Sequence, residues 1–332
     1  MKINPPPRFS LSQLPTPLEI LSLSPAPESK IEILIKRDDL TGSILSGNKI
    51  RKLEFLFYDL VSRKSDIVIT CGGVQSNHCR AVAALCASAG LGCHLVLKGK
   101  RPKTPDGNFF FTDLFGAKSD FIAAREYENN VDSIMRKLAA KYAKKGKKPY
   151  VIPEGGSDPL GVWGYIKALE ELKKQAGKAN LKIDAIACAV GSGGTYAGLY
   201  LGSKLARWDV KIVGYAVSRD SLHYKKRIYD LCMAFANSEK VNIKIEPKEF
   251  WIDDRFVGPG YAKIGKTETE FIKNIARHSG IVLDPAYTSK ALLGLFNCIA
   301  DGEFRKRSNI VFIHTGGQWG LLPQRNKFKT TK

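Results

Sequence analysis

Apolar runs of strand length alternate along this chain with stretches of helical periodicity. Ile50, Leu53, Phe57, Leu60 and Val61 recur at helical spacing, so a helix is predicted to begin at Lys49 with Asn48 as its N-cap. Ile67-Val68-Ile69-Thr70-Cys71 reads as a strand running into Gly72-Gly73, and Ser76-Asn77 opens an alanine-rich helix that stops at Gly90. A strand at Cys93–Leu97, a helix from Gly107 to Phe115, a short strand near Phe121, a helix from Val131 to Lys144 and a strand at Tyr150–Ile152 follow. A long amphipathic helix, Leu160–Ala176, crosses into a second sheet, whose first strand, Ile183–Val190, has the continuous apolar character of a fully buried strand. Helices at Tyr196–Ala206, Leu222–Ala236, Glu268–His278 and Ala286–Ala300 alternate with strands at Lys211–Val217 and Asn309–His314. This alternation predicts the α/β class: two open, mostly parallel sheets flanked by helices. Ahead of it, residues 1–30 are rich in Pro and Ser and read as an irregular arm before a strand at Ile31–Lys36, and the tail Lys327–Lys332 reads as frayed.

Composition narrows the classes of function. With 44% hydrophobic and 25% charged residues the chain is a folding one, and 332 residues suit two domains. No run approaches the ~18 apolar residues of a membrane span, and Met1–Pro7 lacks the apolar core of a signal peptide, which together predict a cytoplasmic protein with no membrane partner. Seven cysteines without a C-x-x-C pair, and five histidines without ligand spacing, indicate neither a disulfide framework nor a metal site. The formal charge of +20 is spread along the chain, with small clusters at Lys144–Lys148, Lys225–Arg227 and Arg305–Arg307. None is interleaved with aromatics as a base-stacking platform would be, so the clusters read as solvated surface and no specific nucleic-acid partner is expected.

Candidate chemistry lies where strands end and helices begin, because amides at helix N-termini face anions there. A lysine in a helix's first turn opposes the macrodipole, so Lys49 is either solvated or held as a neutral amine, which is a nucleophile for aldehydes. Gly191-Ser192-Gly193-Gly194-Thr195, between a buried strand and a helix, can form a phosphate nest but fits neither the Walker nor the dinucleotide spacing. Gly72–His78 offers the Ser76 hydroxyl and the Asn77 amide to a carboxylate, although Ser-Asn also reads as a plain helix cap. Val257–Ala262 presents Tyr261 on a glycine-bounded loop, and Asp284–Thr288 faces His314–Trp319 with further hydroxyls.

Together with Pro15–Leu18, Lys36–Gly42, Ser46–Glu54, Glu154–Ser157, Asp284–Tyr287 and His314–Gly317, these ordered motifs resemble the 1-aminocyclopropane-1-carboxylate deaminase/D-cysteine desulfhydrase family, from about Pro15 to Pro323. The resemblance implies a fold-type II pyridoxal 5′-phosphate enzyme acting on a small amino acid, usually as a homodimer. Residues 51–159 would form a small domain inserted in a larger one made of 1–50 and 160–332. By the same resemblance Lys49 carries the cofactor, Asn77 contacts its ring oxygen, and Gly191, Ser192, Gly193, Gly194 and Thr195 hold its phosphate. Ser76 meets the substrate carboxylate, with Asn77, His78 and Trp319 nearby, and Tyr261 and Tyr287 are the two active-site tyrosines. Deaminases of the family carry Glu after the second tyrosine and Leu before the last Gly-Gly. Thr288 and Thr315 stand here instead, both expected at the cofactor, and imply the desulfhydrase branch; Thr315 is the expected partner of the pyridine nitrogen.

Overall fold

The computed structural model describes residues 3–328. In chain order the elements are β1 (Leu18–Ile20), β2 (Glu32–Lys36), α1 (Asn48–Ser62), β3 (Ile67–Gly73), α2 (Asn77–Ser88), β4 (Gly92–Lys98), α3 (Gly107–Leu114), β5 (Lys118–Ile122), α4 (Ala124–Ala143) and β6 (Pro149–Val151). They continue with α5 (Pro159–Lys178), β7 (Ala185–Val190), α6 (Gly194–Leu205), β8 (Lys211–Ala216), α7 (Ser221–Ser238), β9 (Trp251–Asp253), α8 (Lys266–Ser279), α9 (Thr288–Ala300) and β10 (Asn309–Ile313). Two sheets form, one in the order β1-β2-β10-β7-β8-β9 and one in the order β5-β4-β3-β6. Every pairing is parallel except β1 with β2.

Strand β7 shows why the larger sheet is buried on both faces. Its side chains alternate, so Ile186, Cys188 and Val190 pack against α5, α6 and α7, while Ala185, Ala187 and Ala189 face the layer of α8 and α9. The small residues on the second face let those helices sit close. All seven cysteines are buried and free, filling apolar space. No helix among the described residues is long and apolar enough to cross a membrane.

The differences from the predicted elements have local causes. Strands β1 and β9 have only three residues each, too short for periodicity to register. Helix α4 begins seven residues before the predicted Val131, because its first two turns are polar except for Ala124 and Tyr127. Helix α1 includes Asn48, and Gly47 occupies the cap position. The Asn48 amide donates instead to Thr195 Oγ1 at 3.0 Å. Val61, predicted on the apolar face of α1, is exposed. Lys327 and Phe328 belong to a C-terminal 3-10 segment, with Lys327 Nζ donating to the Ile264 carbonyl, and the rest of the predicted frayed tail lies outside the described residues.

Helix α1 joins the two sheets. One face, with Ile50, Leu53, Leu56 and Leu60, packs on the smaller sheet. The other crosses α5 at Gly164, where a Cβ would lie 2.6 Å from the Arg51 carbonyl. The charges of α1 are buried as well. Arg51 donates to Asp38 through Nε and Nη2 at 2.9 and 2.7 Å and to Glu171 at 3.0 Å, and Tyr165 donates to Asp38 at 2.6 Å. Burial alone would raise the Asp38 carboxyl, but Arg51 and Lys36 outweigh it and hold the group below its usual range. Asp38→Ala strands the Arg51 guanidinium beside a single remaining carboxylate, so urea unfolding is expected to report a loss of about 3–5 kcal/mol.

Candidate active site

Lys49 sits in the first turn of α1, buried to 8% exposure, and lines a cavity with the turn after β7, Thr315 beyond β10 and Asn77 at the start of α2. Gly47 makes this placement possible. Its φ of 96° belongs to the left-handed region, and a Cβ there would lie 2.6 Å from the Thr315 carbonyl, which accepts from the Asn48 backbone N–H at 3.1 Å. The loop after β10 is thereby fastened to the start of α1. Burial pulls the Lys49 amine down to about 8, partly offset by the charges of Glu154 and Asp284. About a tenth of the amine is therefore neutral at pH 7, far more than for a free lysine.

Opposite Lys49 the chain turns from β7 into α6 through Gly191–Thr195, with Gly193 at φ 86°. Ser192 Oγ lies 2.7 Å from Ser157 Oγ, and Arg227 Nε donates to the Ser192 carbonyl at 2.9 Å. A Cβ on Gly194 would lie 2.5 Å from Ser157 Oγ and 2.6 Å from Lys52 Nζ, so a side chain there would displace both groups from the turn. Lys52 is 1% exposed, and its amine donates to the Gly155 carbonyl and to Ser157 at 3.2 and 3.1 Å. Among the described residues no carboxylate bonds it. Burial, reinforced by the charge of Lys49, drives its basicity well below that of a free lysine. A buried amine without a counter-ion, beside unpaired helix-start amides, is a receptor for an anion. Pattern reasoning passed over both Lys52 and Arg227, assigning the basic cluster of Arg227 to solvated surface. Lys52 follows Lys49 by three residues on the same helix face, which was the available signal.

Asn77 and Thr315 also line the Lys49 cavity. Asn77 Oδ1 accepts from Asn108 Nδ2 at 2.9 Å, and its Nδ2 points toward Gly317, where a Cβ would approach it to 2.8 Å. The cavity opens into a cleft of about 500 Å³ between the two sheets, lined in part by Ser76, His78, Tyr127, Glu154, Tyr261 and Tyr287. Ser76 Oγ caps α2, accepting from the Cys79 amide at 3.2 Å, so the capping role and the place in the cleft coexist. His78 Nε2 lies 2.9 Å from Thr70 Oγ1, and burial followed by the charges of Lys49 and Lys52 keeps the ring neutral. The hydroxyls of Tyr261 and Tyr287 are 2.6 Å apart, and burial pushes both phenols up, so each keeps its proton. Glu154 accepts from Tyr127 at 2.9 Å.

Two predicted residues fall elsewhere. Thr288 does not line the cavity: its amide and hydroxyl both donate to Asp284 Oδ1, at 2.6 and 2.8 Å, fixing the start of α9. Trp319 lies outside both cavity and cleft, packing edge-on against Phe111 with ring centres 4.8 Å apart, where α3 meets the C-terminal segment.

A buried lysine facing an anion cradle, at the strand ends of an open α/β fold, defines the class. The chain belongs to the family of pyridoxal-phosphate-dependent enzymes, whose pattern matches residues 9–316. Within it the chain is a lyase of the D-cysteine desulfhydrase/1-aminocyclopropane-1-carboxylate deaminase family, of fold type II, with pyridoxal 5′-phosphate as cofactor. It is 40% identical over 322 residues to the bifunctional D-cysteine desulfhydrase/1-aminocyclopropane-1-carboxylate deaminase of Arabidopsis thaliana, covering 94% of this chain and 79% of that one. A putative 1-aminocyclopropane-1-carboxylate deaminase of Thermotoga maritima is also 40% identical, over 96% and 98% of the two chains. D-cysteine desulfhydrase of Salmonella choleraesuis is 36% identical, over 95% of each. The crystal structure of an ACC deaminase homologue superposes with a TM-score of 0.87 at 36% identity, covering 97% of this chain and 95% of that one.

Proposed function

We propose that the chain is a D-cysteine desulfhydrase, converting D-cysteine and water to pyruvate, ammonia and hydrogen sulfide. The observation that carries this reading is the absence of any carboxylate among the residues lining the cavity around Lys49, with the hydroxyl residue Thr315 present there. A carboxylate would keep the cofactor's pyridine nitrogen protonated, whereas a hydroxyl supplies only a hydrogen bond. The weaker electron sink suits loss of a good leaving group better than opening of a cyclopropane ring.

The residues fit the cofactor. Lys52, the Gly191–Thr195 amides and the hydroxyls of Ser192 and Thr195 would hold its phosphate, Asn77 its ring oxygen and Thr315 its ring nitrogen. When bound, pyridoxal phosphate supplies an aldehyde that captures amines and a ring that takes up the electron pair left at the substrate α-carbon. Lys49 would accept the substrate α-proton as general base. Ser76 and the first amides of α2 hold the substrate carboxylate. The neutral phenols of Tyr261 and Tyr287 are poised to give a proton to the departing sulfur. The bond between the β-carbon and sulfur breaks with its electron pair leaving on sulfur, and one water converts the unsaturated fragment to pyruvate and ammonia. The reading includes a cytoplasmic homodimer, supported by the family resemblance.

The rival reading, 1-aminocyclopropane-1-carboxylate deamination, is favoured by the name of the Thermotoga relative. The test offers D-cysteine, L-cysteine, D-serine and 1-aminocyclopropane-1-carboxylate in parallel to the cofactor-loaded protein. Pyruvate with equimolar sulfide from D-cysteine alone is expected; 2-oxobutyrate from the cyclopropane substrate would replace the proposal with its rival.

A further inference from the structure

Lys290 is the third residue of α9 and is fully buried. Its position is unfavourable twice over, since the helix start repels a cation and the interior strips its water. Among the described residues no carboxylate hydrogen-bonds it. Its three donors meet three backbone carbonyls instead: Val257 at 2.6 Å, Gly260 at 2.5 Å and Val217, more distant, at 3.4 Å. Val217 follows β8 and is part of the rigid sheet. Val257 and Gly260 bound the turn that presents Tyr261, and this turn has little ladder of its own. Gly258, Gly260 and Ala262 have φ of 62°, 116° and 55°. A bond from the Lys263 amide to the Gly260 carbonyl, at 3.2 Å, is its internal tie among the described residues.

We propose that Lys290 is a positioning residue, an internal cation that clamps the turn 257–262 to the sheet and so seats the Tyr261 phenol against Tyr287. Tyr287 precedes Lys290 by three residues at the start of the same helix. One helix end therefore supplies the second phenol covalently and the first through the clamp. Packing alone does not call for an ammonium here, because an unbranched apolar side chain would bury at lower cost. The charged groups Lys290 feels are Glu268 on α8 and Asp284 ahead of α9, and its bonded partners are the Val257 and Gly260 carbonyls of the turn and the Val217 carbonyl just past β8. Burial pulls the amine down to about 8, with those two carboxylates opposing. Above that pH the amine loses one of its three donors, and the clamp loosens. The catalytic half of this inference rests on the reading that Tyr261 meets the substrate; the structural half does not.

The test uses the full chain loaded with pyridoxal phosphate. Hydrogen exchange of the peptide spanning 257–265 is compared at pH 7 and pH 9.5, after correction for intrinsic rates, in wild type, Lys290→Met and Lys290→Gln. In wild type, protection is expected to fall about tenfold from pH 7 to 9.5; in Lys290→Met it is expected to be low at both, with β7 unchanged throughout. Lys290→Gln, the milder change, should lie between. On D-cysteine, Lys290→Met should reproduce the loss of Tyr261→Phe, and the double variant should be no worse than Tyr261→Phe alone. Unaltered protection of the turn in Lys290→Met overturns the clamp, and additive losses overturn its action through Tyr261. If wild type does not turn over D-cysteine while Lys290→Met still exposes the turn, the substrate reading fails and the clamp stands.

Discussion

Lys49→Ala should lower turnover of D-cysteine by on the order of 10⁴-fold and remove the visible absorbance of the lysine-bound cofactor. The two losses have one source, because in the proposed reading the same nitrogen would tie the cofactor to the protein and accept the α-proton. The structure adds a pH dependence to the first of these roles. With its basicity lowered to about 8, Lys49 is mostly protonated at pH 6.5 and mostly neutral at pH 9. Capture of pyridoxal phosphate by cofactor-free protein should therefore speed up as pH rises through about 8 and then level off. Absorbance-monitored reconstitution and a coupled pyruvate assay check both statements, and wild-type turnover in the alanine variant would end the mechanism.

Lys52→Met should weaken cofactor affinity by about 10²- to 10³-fold while stabilising the cofactor-free protein. The signs differ because of what Lys52 lacks. Without an anion its amine is buried with, among the described residues, only the Gly155 carbonyl and the Ser157 hydroxyl for partners, so folding costs stability either as a buried charge or as a proton given up. With phosphate in the glycine cradle the same charge has a partner at close range. Its folded-state basicity is depressed without cofactor, so the cost is felt at neutral pH and fades as pH rises toward the unfolded lysine's value. Equilibrium dialysis and thermal denaturation of the stripped proteins separate the effects. Unchanged affinity would place the phosphate away from Gly191–Thr195, and unchanged stability would mean that water already relieves the buried amine.

The architecture was legible because burial of both faces of a parallel sheet writes itself as continuous apolar runs, of which β7 is the plainest. Helix α4 was read late because its opening turns carry only Ala124 and Tyr127 as apolar residues, too few for a period. The glycine-rich turn Gly191–Thr195 was legible as a strand-to-helix junction, whereas the need for glycine at Gly47 was not, because only the fold brings the Thr315 carbonyl against it. Thr288 misled because sequence distance from Tyr287 says nothing about direction. The hydroxyl turns back onto Asp284, whose carboxylate gathers the first amides of α9. Trp319 misled because an aromatic next to a glycine pair can face either way, and Phe111 offered it a ring to pack on. Lys52 went unseen because a lysine in a run of charges reads as surface until a neighbouring element is known to cover it.

That covering bears on how the chain can vary over evolutionary time. Lys49, Arg51, Lys52 and Glu54 lie within six residues of α1, and each points at a different part of the molecule: the cleft, the Asp38–Glu171 group, the glycine cradle, and an N-terminal arm whose Arg8, Leu11 and Ser12 all bond Glu54. On an ordinary surface helix such charges exchange freely, lysine for arginine or glutamate for aspartate. Here each exchange alters reach and bonding geometry in a space already filled, so neutral drift has almost no room in this helix. The segment that looks most like solvent-facing sequence is the one where a single exchange disturbs the most separate contacts.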